Sequence, residues 1–282
     1  MPGDTMKVGN VTLTMVKDLP AMRGEPRFMW PTVDPARFLD YKEWFNERGL
    51  LDITIGSVLV RSSGKTILID TGIGKGERPP FRTERADLMS NLAAHGVRPE
   101  DVDMVVTTHL HSDHVGWNTV KDGDRWMPTF PRARYLVQQK EWDYFTSPEQ
   151  REHNVSILEN VLPLADAGVL ELVSHETAIT PDLTYLPTPG HTPDHCSILI
   201  QSQGERALVL GDVAHHPIQM SEPEWESNAD NDKQLGIQSR KLVVERLERE
   251  GMLVLGGHWP FPCMGRIVRL NDRRVFQPAK LE

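Results

Sequence analysis

Residues 107–117, TTHLHSDHVGW, place His109, His111, Asp113 and His114 within six positions of a chain that has 11 histidines in 282 residues. The preceding run, DVDMVV (101–106), reads as a short buried strand. A regular strand would send alternate side chains to opposite faces, whereas the loop where a strand stops can project neighbouring side chains into one cavity. Imidazole and carboxylate suit borderline divalent ions, and a two-metal hydrolytic site needs two such pockets a few ångströms apart. Four ligands cannot fill both, so further His or Asp must stand at other strand ends.

The chain supplies them. TPGHTPDH (188–195) puts His191 after the strand LTYLPT, LVLGDVAHH (208–216) puts Asp212 after a buried run, and LVLGGHWPF (253–261) puts His258 after another. Each follows an apolar stretch closed by glycine. Any one of these residues alone reads as structural; the repeated syntax favours a metal site.

Composition bounds the function. Lys and Arg number 31 against 40 Asp and Glu, a net charge of −9 that disfavours nucleic acid and anionic lipid as partners. The length allows one or two domains. Cys196 and Cys263 form no CxxC, and buried thiols are expected. With no signal-like start and no run of membrane-spanning length, a cytoplasmic protein is the simplest expectation.

VGNVTLTMVKD (8–18) alternates like a strand, and the four prolines from Leu19 to Pro35 predict an irregular arm leading into a helix over 35–49. Its aromatics, Phe38, Tyr41, Trp44 and Phe45, are expected in the core. GSVLVRSSGKTILIDTG (56–72) and HCSILIQSQGERALVLGD (195–212) are hairpins of one design, each ending at an aspartate, Asp70 and Asp212. Helices are expected in ADLMSNLAAHGV (86–97), KEWDYF, HNVSILENVLPLAD and the long segment closed by Gly251, and strands in ARYLVQQ, GVLELVS, LTYLPTPG, MLVLGGH and a terminal pair. Strands alternating with helices imply an α/β protein, here one domain over 1–282 with related halves at about 50–165 and 166–282.

The order HxHxDH, a lone His in PGHT, an Asp in GD and a late His resembles the metallo-β-lactamase-fold hydrolases over nearly the whole chain. The resemblance implies an αβ/βα sandwich of two mixed sheets flanked by helices. It also implies two divalent ions, most simply zinc, with manganese, iron, cobalt or nickel as alternatives. His109, His111 and His191 would hold one ion; Asp113, His114 and His258 the other; Asp212 would bridge. Asp70, in DTG, would support the metal loop from behind. A bridging hydroxide would then attack an electrophilic carbonyl or phosphoryl centre, with Asp113 shuttling a proton.

Departures narrow the branch. Asp212 stands where zinc β-lactamases carry cysteine, and 24 residues after His258 leave no room for the helical domain of glyoxalase II enzymes or the insertion of nucleic-acid-processing members. His215 after Asp212, Asp230 and Asp232 before a helix, and the ending GGHWPFPCMGRI resemble methyl parathion hydrolase and its lactonase or esterase relatives. The expected activity is therefore hydrolysis of a lactone or aryl ester, with phosphotriesters as further candidates; N-acyl-homoserine lactone hydrolysis is the alternative. An iron-dependent redox member and a non-catalytic binding protein are disfavoured by the full ligand set.

His215 reads either as a donor to substrate oxygen or as a loop histidine. Phe28, Met29, Trp30 and Trp117 could wall an apolar substrate pocket, or the arm could form a homodimer contact, since members of this branch are often dimers. His95, His153 and His175 are expected to be structural or exposed. His195 either supports the site or simply begins the hairpin.

Overall fold

The structure, a computed structural model, describes residues 4–78, 81–83 and 85–279. Residues 280–282, at the end of the expected terminal strand pair, and the first three residues lie outside them. Among the described residues the strands form two seven-stranded sheets and two small ribbons. In spatial order the first sheet runs Thr5–Val8, Val11–Gly24, Leu51–Ser62, Lys65–Ile69, Met104–Val106, Arg134–Gln138 and Leu170–Val173. The second runs Ala178–Thr180, Leu183–Pro187, Cys196–Ser202, Glu205–Val209, Leu253–Leu255, Met264–Leu270 and Arg273–Pro278. Both are mixed, and helices flank them, as the αβ/βα sandwich requires.

The apolar runs are continuous because both faces of the central strands are buried. Val58, Val60, Ile67, Ile69, Met104 and Val106 face the other sheet, where they meet Ile198, Ile200, Val209 and Leu255. Their alternates Leu59, Leu68 and Val105 point outward into a second cluster with Leu88 and Leu92 of the helix Leu88–Ala94. Each fully buried side chain of this size contributes about 1.5–3 kcal/mol. Over the second sheet the helix Lys233–Glu250 packs Val243, Val244 and Leu247 inward. Asp232 caps it by accepting from Leu235 N at 2.9 Å, and Gly251 ends it.

The two sheets share one local arrangement. In each half the second hairpin strand runs parallel to a later strand: Ile67, Leu68 and Ile69 beside Met104, Val105 and Val106, and Ala207, Leu208 and Val209 beside Leu253, Val254 and Leu255. The change of sheet comes between Val173 and Ala178, later than a division at 165/166, because Leu170–Val173 pairs with Arg134–Gln138 in the first sheet.

The N-terminal arm differs from expectation. The strand Val11–Gly24 continues into it, absorbing Pro20 in register shifts that bend the strand. Beyond a single turn at Pro26–Met29, the expected helix over 35–49 is a 3-10 segment, Pro35–Trp44, broken at Tyr41. It buries no residue of its own fully; Phe38, Tyr41, Trp44 and Phe45 lean on a core of Trp30, Leu51, Ile218 and Trp225. These aromatics are half-buried, packed against this small core rather than lying inside it. Both cysteines are buried and free.

Candidate metal centre

The two parallel strand pairs end on the same side of the molecule. Past Ile69 and Val106 the chain delivers Asp70 and the loop 107–114; past Val209 and Leu255 it delivers Asp212 and His258. His191 arrives from the turn between Leu183–Pro187 and Cys196–Ser202. The first loops interlock through backbone bonds, Thr71 N to His114 O at 2.7 Å and Gly116 N to Gly72 O at 2.8 Å. A Cβ on Gly116 would stand 1.9 Å from Ile73 C, so only glycine allows this approach.

All seven expected ligands converge. The ligand atoms of His109, His111 and His191 lie within 4.8 Å of one another, and so do those of Asp113, His114 and His258. His111 Nδ1 is 3.1 Å from His109 Nε2 and 2.9 Å from His191 Nε2; His114 Nε2 is 3.4 Å from His258 Nε2. Asp212 faces both groups: Oδ2 lies 3.3 Å from His191 Nε2 and 3.1 Å from His258 Nε2, and Oδ1 lies 3.3 Å from His114 Nε2. Imidazole nitrogens aimed at one another in a buried space, around a shared carboxylate, have the donor chemistry that divalent ions take. The residues fit two such ions.

Further groups hold the rings by their other nitrogens. His114 Nδ1 lies 2.8 Å from Asp70 Oδ2, His258 Nδ1 lies 3.0 Å from Thr54 O, and His109 Nδ1 lies 3.0 Å from Thr108 Oγ1. Asp70 also accepts from Thr108 N at 2.7 Å and Thr108 Oγ1 at 2.8 Å, so it braces the loop from behind. His195 does support the site: its Nε2 accepts from Asp212 N at 2.8 Å.

Two buried carboxylates escaped sequence reasoning. Glu141 accepts from Leu110 N at 3.3 Å, Thr192 Oγ1 at 2.5 Å and Asp194 N at 2.9 Å, clipping the His109–His111 loop to the His191 turn. Asp18 accepts from Ile73 N, Gly74 N, Leu88 N and the Trp117 indole N–H. Neither sits in a motif; their only sequence signal is an acidic residue in or beside an otherwise apolar run.

Burial, reinforced by repulsion from His114 and His111, holds His109 well below the ordinary histidine range. Burial likewise brings His111 down to about 4 against the pull of Asp113 and Asp212, and it lowers His191 strongly. These rings stay neutral, with lone pairs free for a metal. For His258 burial opposes the cation, but attraction and a hydrogen bond to Asp212, with further attraction to Asp113, raise it to about 9. A divalent ion binding there displaces protons.

Above the ligands opens a cavity of about 930 Å³, walled by Met22, Phe28, Met29, Ile53 and Ile55 on one side and by residues 153–156 on another. Phe28 and Met29 therefore lie where expected, Phe28 with 74% of its surface exposed. Trp30 and Trp117 do not. Trp30 is fully buried, packing edge-on against Trp225 and His216, and Trp117 turns beneath the loop to reach Asp18 at 2.8 Å. The Trp117 indole N–H finds its acceptor in Asp18, whereas Trp30 is held by aromatic packing alone.

His215 faces the cavity, with Nε2 3.4 Å from Asp212 Oδ2 and the ring stacked parallel to His258 at 5.9 Å. His153 lines the mouth, while His95 pairs with Asp4 and His175 with Asp194. His216 is buried among aromatics and brought down to about 3 by that burial. Among the described residues no helix is long and apolar enough to cross a membrane.

Comparison with known proteins agrees with this geometry. A relative from Bacillus sp, named N-acyl homoserine lactonase, is 28% identical over 225 residues, covering 74% of this chain and 82% of its own. One of the same name from Bacillus cereus is 26% identical, with the same coverage. Among solved structures, the hydrolase AbOPH of the beta lactamase superfamily superposes with a TM-score of 0.85 at 25% identity, over 100% of this chain and 98% of its own. AidC, a dizinc quorum-quenching lactonase, shares the fold with a TM-score of 0.80 at 23% identity, over 99% and 97%. The family model of the metallo-beta-lactamase superfamily matches residues 55–258, from within the strand Leu51–Ser62 through the last histidine of the centre. The chain belongs to the metallo-beta-lactamase superfamily.

Proposed function

We propose that this protein is a dinuclear, zinc-dependent hydrolase that opens lactones, with N-acyl homoserine lactones as the first candidates and aryl esters and phosphotriesters next. The observation that carries the reading is the convergence of seven ligand side chains, five of which (His111, Asp113, His191, Asp212 and His258) line the floor of a cavity with an apolar wall. The relatives named N-acyl homoserine lactonase support the lactone assignment. His215 and the apolar wall support aryl substrates.

In this proposal His109, His111 and His191 would hold one ion and Asp113, His114 and His258 the other, with Asp212 placed to serve either. The bound ions supply the positive charge that polarises a carbonyl and makes water nucleophilic near neutral pH. The protein supplies the rest. Met22, Phe28, Met29, Ile53 and Ile55 take the apolar part of the substrate and exclude water from it. His215 donates to the substrate oxygen that gains charge, in the tautomer in which Ser227 Oγ, 3.4 Å from Nδ1, gives its proton to Nδ1 and the imidazole proton sits on Nε2. Asp113, at the cavity floor with Oδ2 3.5 Å from His258 Nε2, takes the proton released by the attacking water and returns it to the leaving oxygen.

The test is a hydrolysis screen of zinc-loaded protein on acyl-homoserine lactones of several chain lengths, dihydrocoumarin, p-nitrophenyl esters and a phosphotriester. Lactone opening that exceeds the other classes in kcat/KM supports the proposal. Turnover of esters or phosphotriesters with no lactone opening removes it.

A further inference from the structure

Three of the proposed ligand histidines have an obvious partner behind the ring, in Asp70, Thr54 O and Thr108. His191 has none of comparable quality. Its Nδ1 is buried without a hydrogen bond, and so is Oδ1 of Asp230. The two atoms lie 3.4 Å apart, with side chains only 2% and 1% exposed. Leaving both unpaired would cost desolvation free energy on each side, and a small rotation joins them.

Backbone contacts put Asp230 there. Asn231 N bonds to His191 O at 3.1 Å and Asp232 N bonds to Gly190 O at 2.8 Å, so the segment entering the long helix is clamped along the His191 turn. The other carboxylate oxygen, Oδ2, accepts from the fully buried Arg240 at 2.7 Å. Arg240 spends three further donors on Val213 O, Pro223 O and Trp225 O. Its guanidinium therefore has one orientation, and it requires an acceptor at Oδ2.

We propose that Asp230 is a positioning residue for the three-histidine ion site, holding the proton of His191 on Nδ1 and so aiming the Nε2 lone pair at the metal, with Arg240 fixing the carboxylate. The inference rests on the dinuclear reading above. It gives each ion site one carboxylate-backed imidazole, Asp70 behind His114 and Asp230 behind His191. Backing of this kind raises ligand basicity and sets the tautomer.

The decisive variant is Asp230→Asn. Arg240 requires the amide oxygen, so the amide nitrogen must face His191. A donor there favours the tautomer with its proton on Nε2, which cannot bind a metal. We expect one of the two cobalt equivalents to bind 10–100-fold more weakly, with a changed visible spectrum, while the other is unaffected. In Asp230→Asn combined with Arg240→Met the amide is free to turn its oxygen toward His191, and the lost affinity should return in part. Equal affinity for both ions and an unaltered cobalt spectrum in Asp230→Asn would overturn the proposal.

The wild-type protein offers a reading that no folding defect can spoil. Long-range proton–nitrogen correlation spectra of the zinc-loaded chain should show the His191 proton on Nδ1; a bare Nδ1 would overturn the proposal equally. Wild-type protein that takes up fewer than two cobalt ions would instead refute the dinuclear reading on which this one depends.

Discussion

Asp70 Oδ2 lies 2.8 Å from His114 Nδ1, and the same carboxylate accepts from both the backbone and the hydroxyl of Thr108. One side chain thus ties the end of the Lys65–Ile69 strand to the metal loop and to one imidazole. Asp70→Asn can keep only part of this, and it is expected to weaken the ion shared by Asp113, His114 and His258 by about 10–100-fold. Competition with a chelator of known affinity measures it; unchanged affinity would deny Asp70 this role.

Removing the His215 imidazole is expected to separate chemistry from metal binding. His215→Ala should lower kcat by about 100-fold or more, the scale for deleting one donor to a developing oxyanion, while metal content stays at the wild-type level. Loss of an ion would instead make His215 a ligand.

Glu141 is a buried carboxylate whose burial outweighs three hydrogen-bond donors and pushes it up to about 7 from an ordinary 4.5. The fold therefore favours the protonated acid. Its stabilising contribution is complete below pH 4.5 and is lost as the pH rises through 7, about 3 kcal/mol at 1.36 kcal/mol per unit. Glu141→Gln cannot ionise, so the stability of wild type minus that of the variant should fall across this window in urea melts. A difference independent of pH would contradict the assignment.

The contact between Gly116 and Ile73 makes a prediction about stability alone. Gly116→Ala would set a methyl 1.9 Å from Ile73 C, against backbone on both sides. We expect a loss of about 3 kcal/mol, seen as a lower urea midpoint with an unchanged slope. A shift within about 0.5 kcal/mol would show that the two loops separate easily.

The seven converging residues were legible because each stands where an apolar run stops, a pattern local in sequence. The paired hairpins were legible for a related reason: burial on both faces leaves continuous apolar stretches in place of a period-two alternation. What failed to show were relationships made only by folding. Asp18, Glu141 and Asp230 act through partners 55, 51 and 39 positions away, and an acidic residue alone does not announce burial. Trp30 and Trp117 were misplaced because aromatic character predicts enclosure without saying which cavity encloses it. The arm was misread because its prolines were taken to exclude a strand beyond Asp18, whereas the strand continues to Gly24 through register shifts.

The central claim is that two ions, held by these seven side chains, make the protein a hydrolase. The most direct measurement is a metal titration of chelator-stripped protein with zinc, following lactone hydrolysis at each step. The proposal predicts no turnover in the stripped chain, recovery as ion is added, and a plateau at two equivalents per chain. Full activity in protein shown by elemental analysis to hold no metal would contradict it.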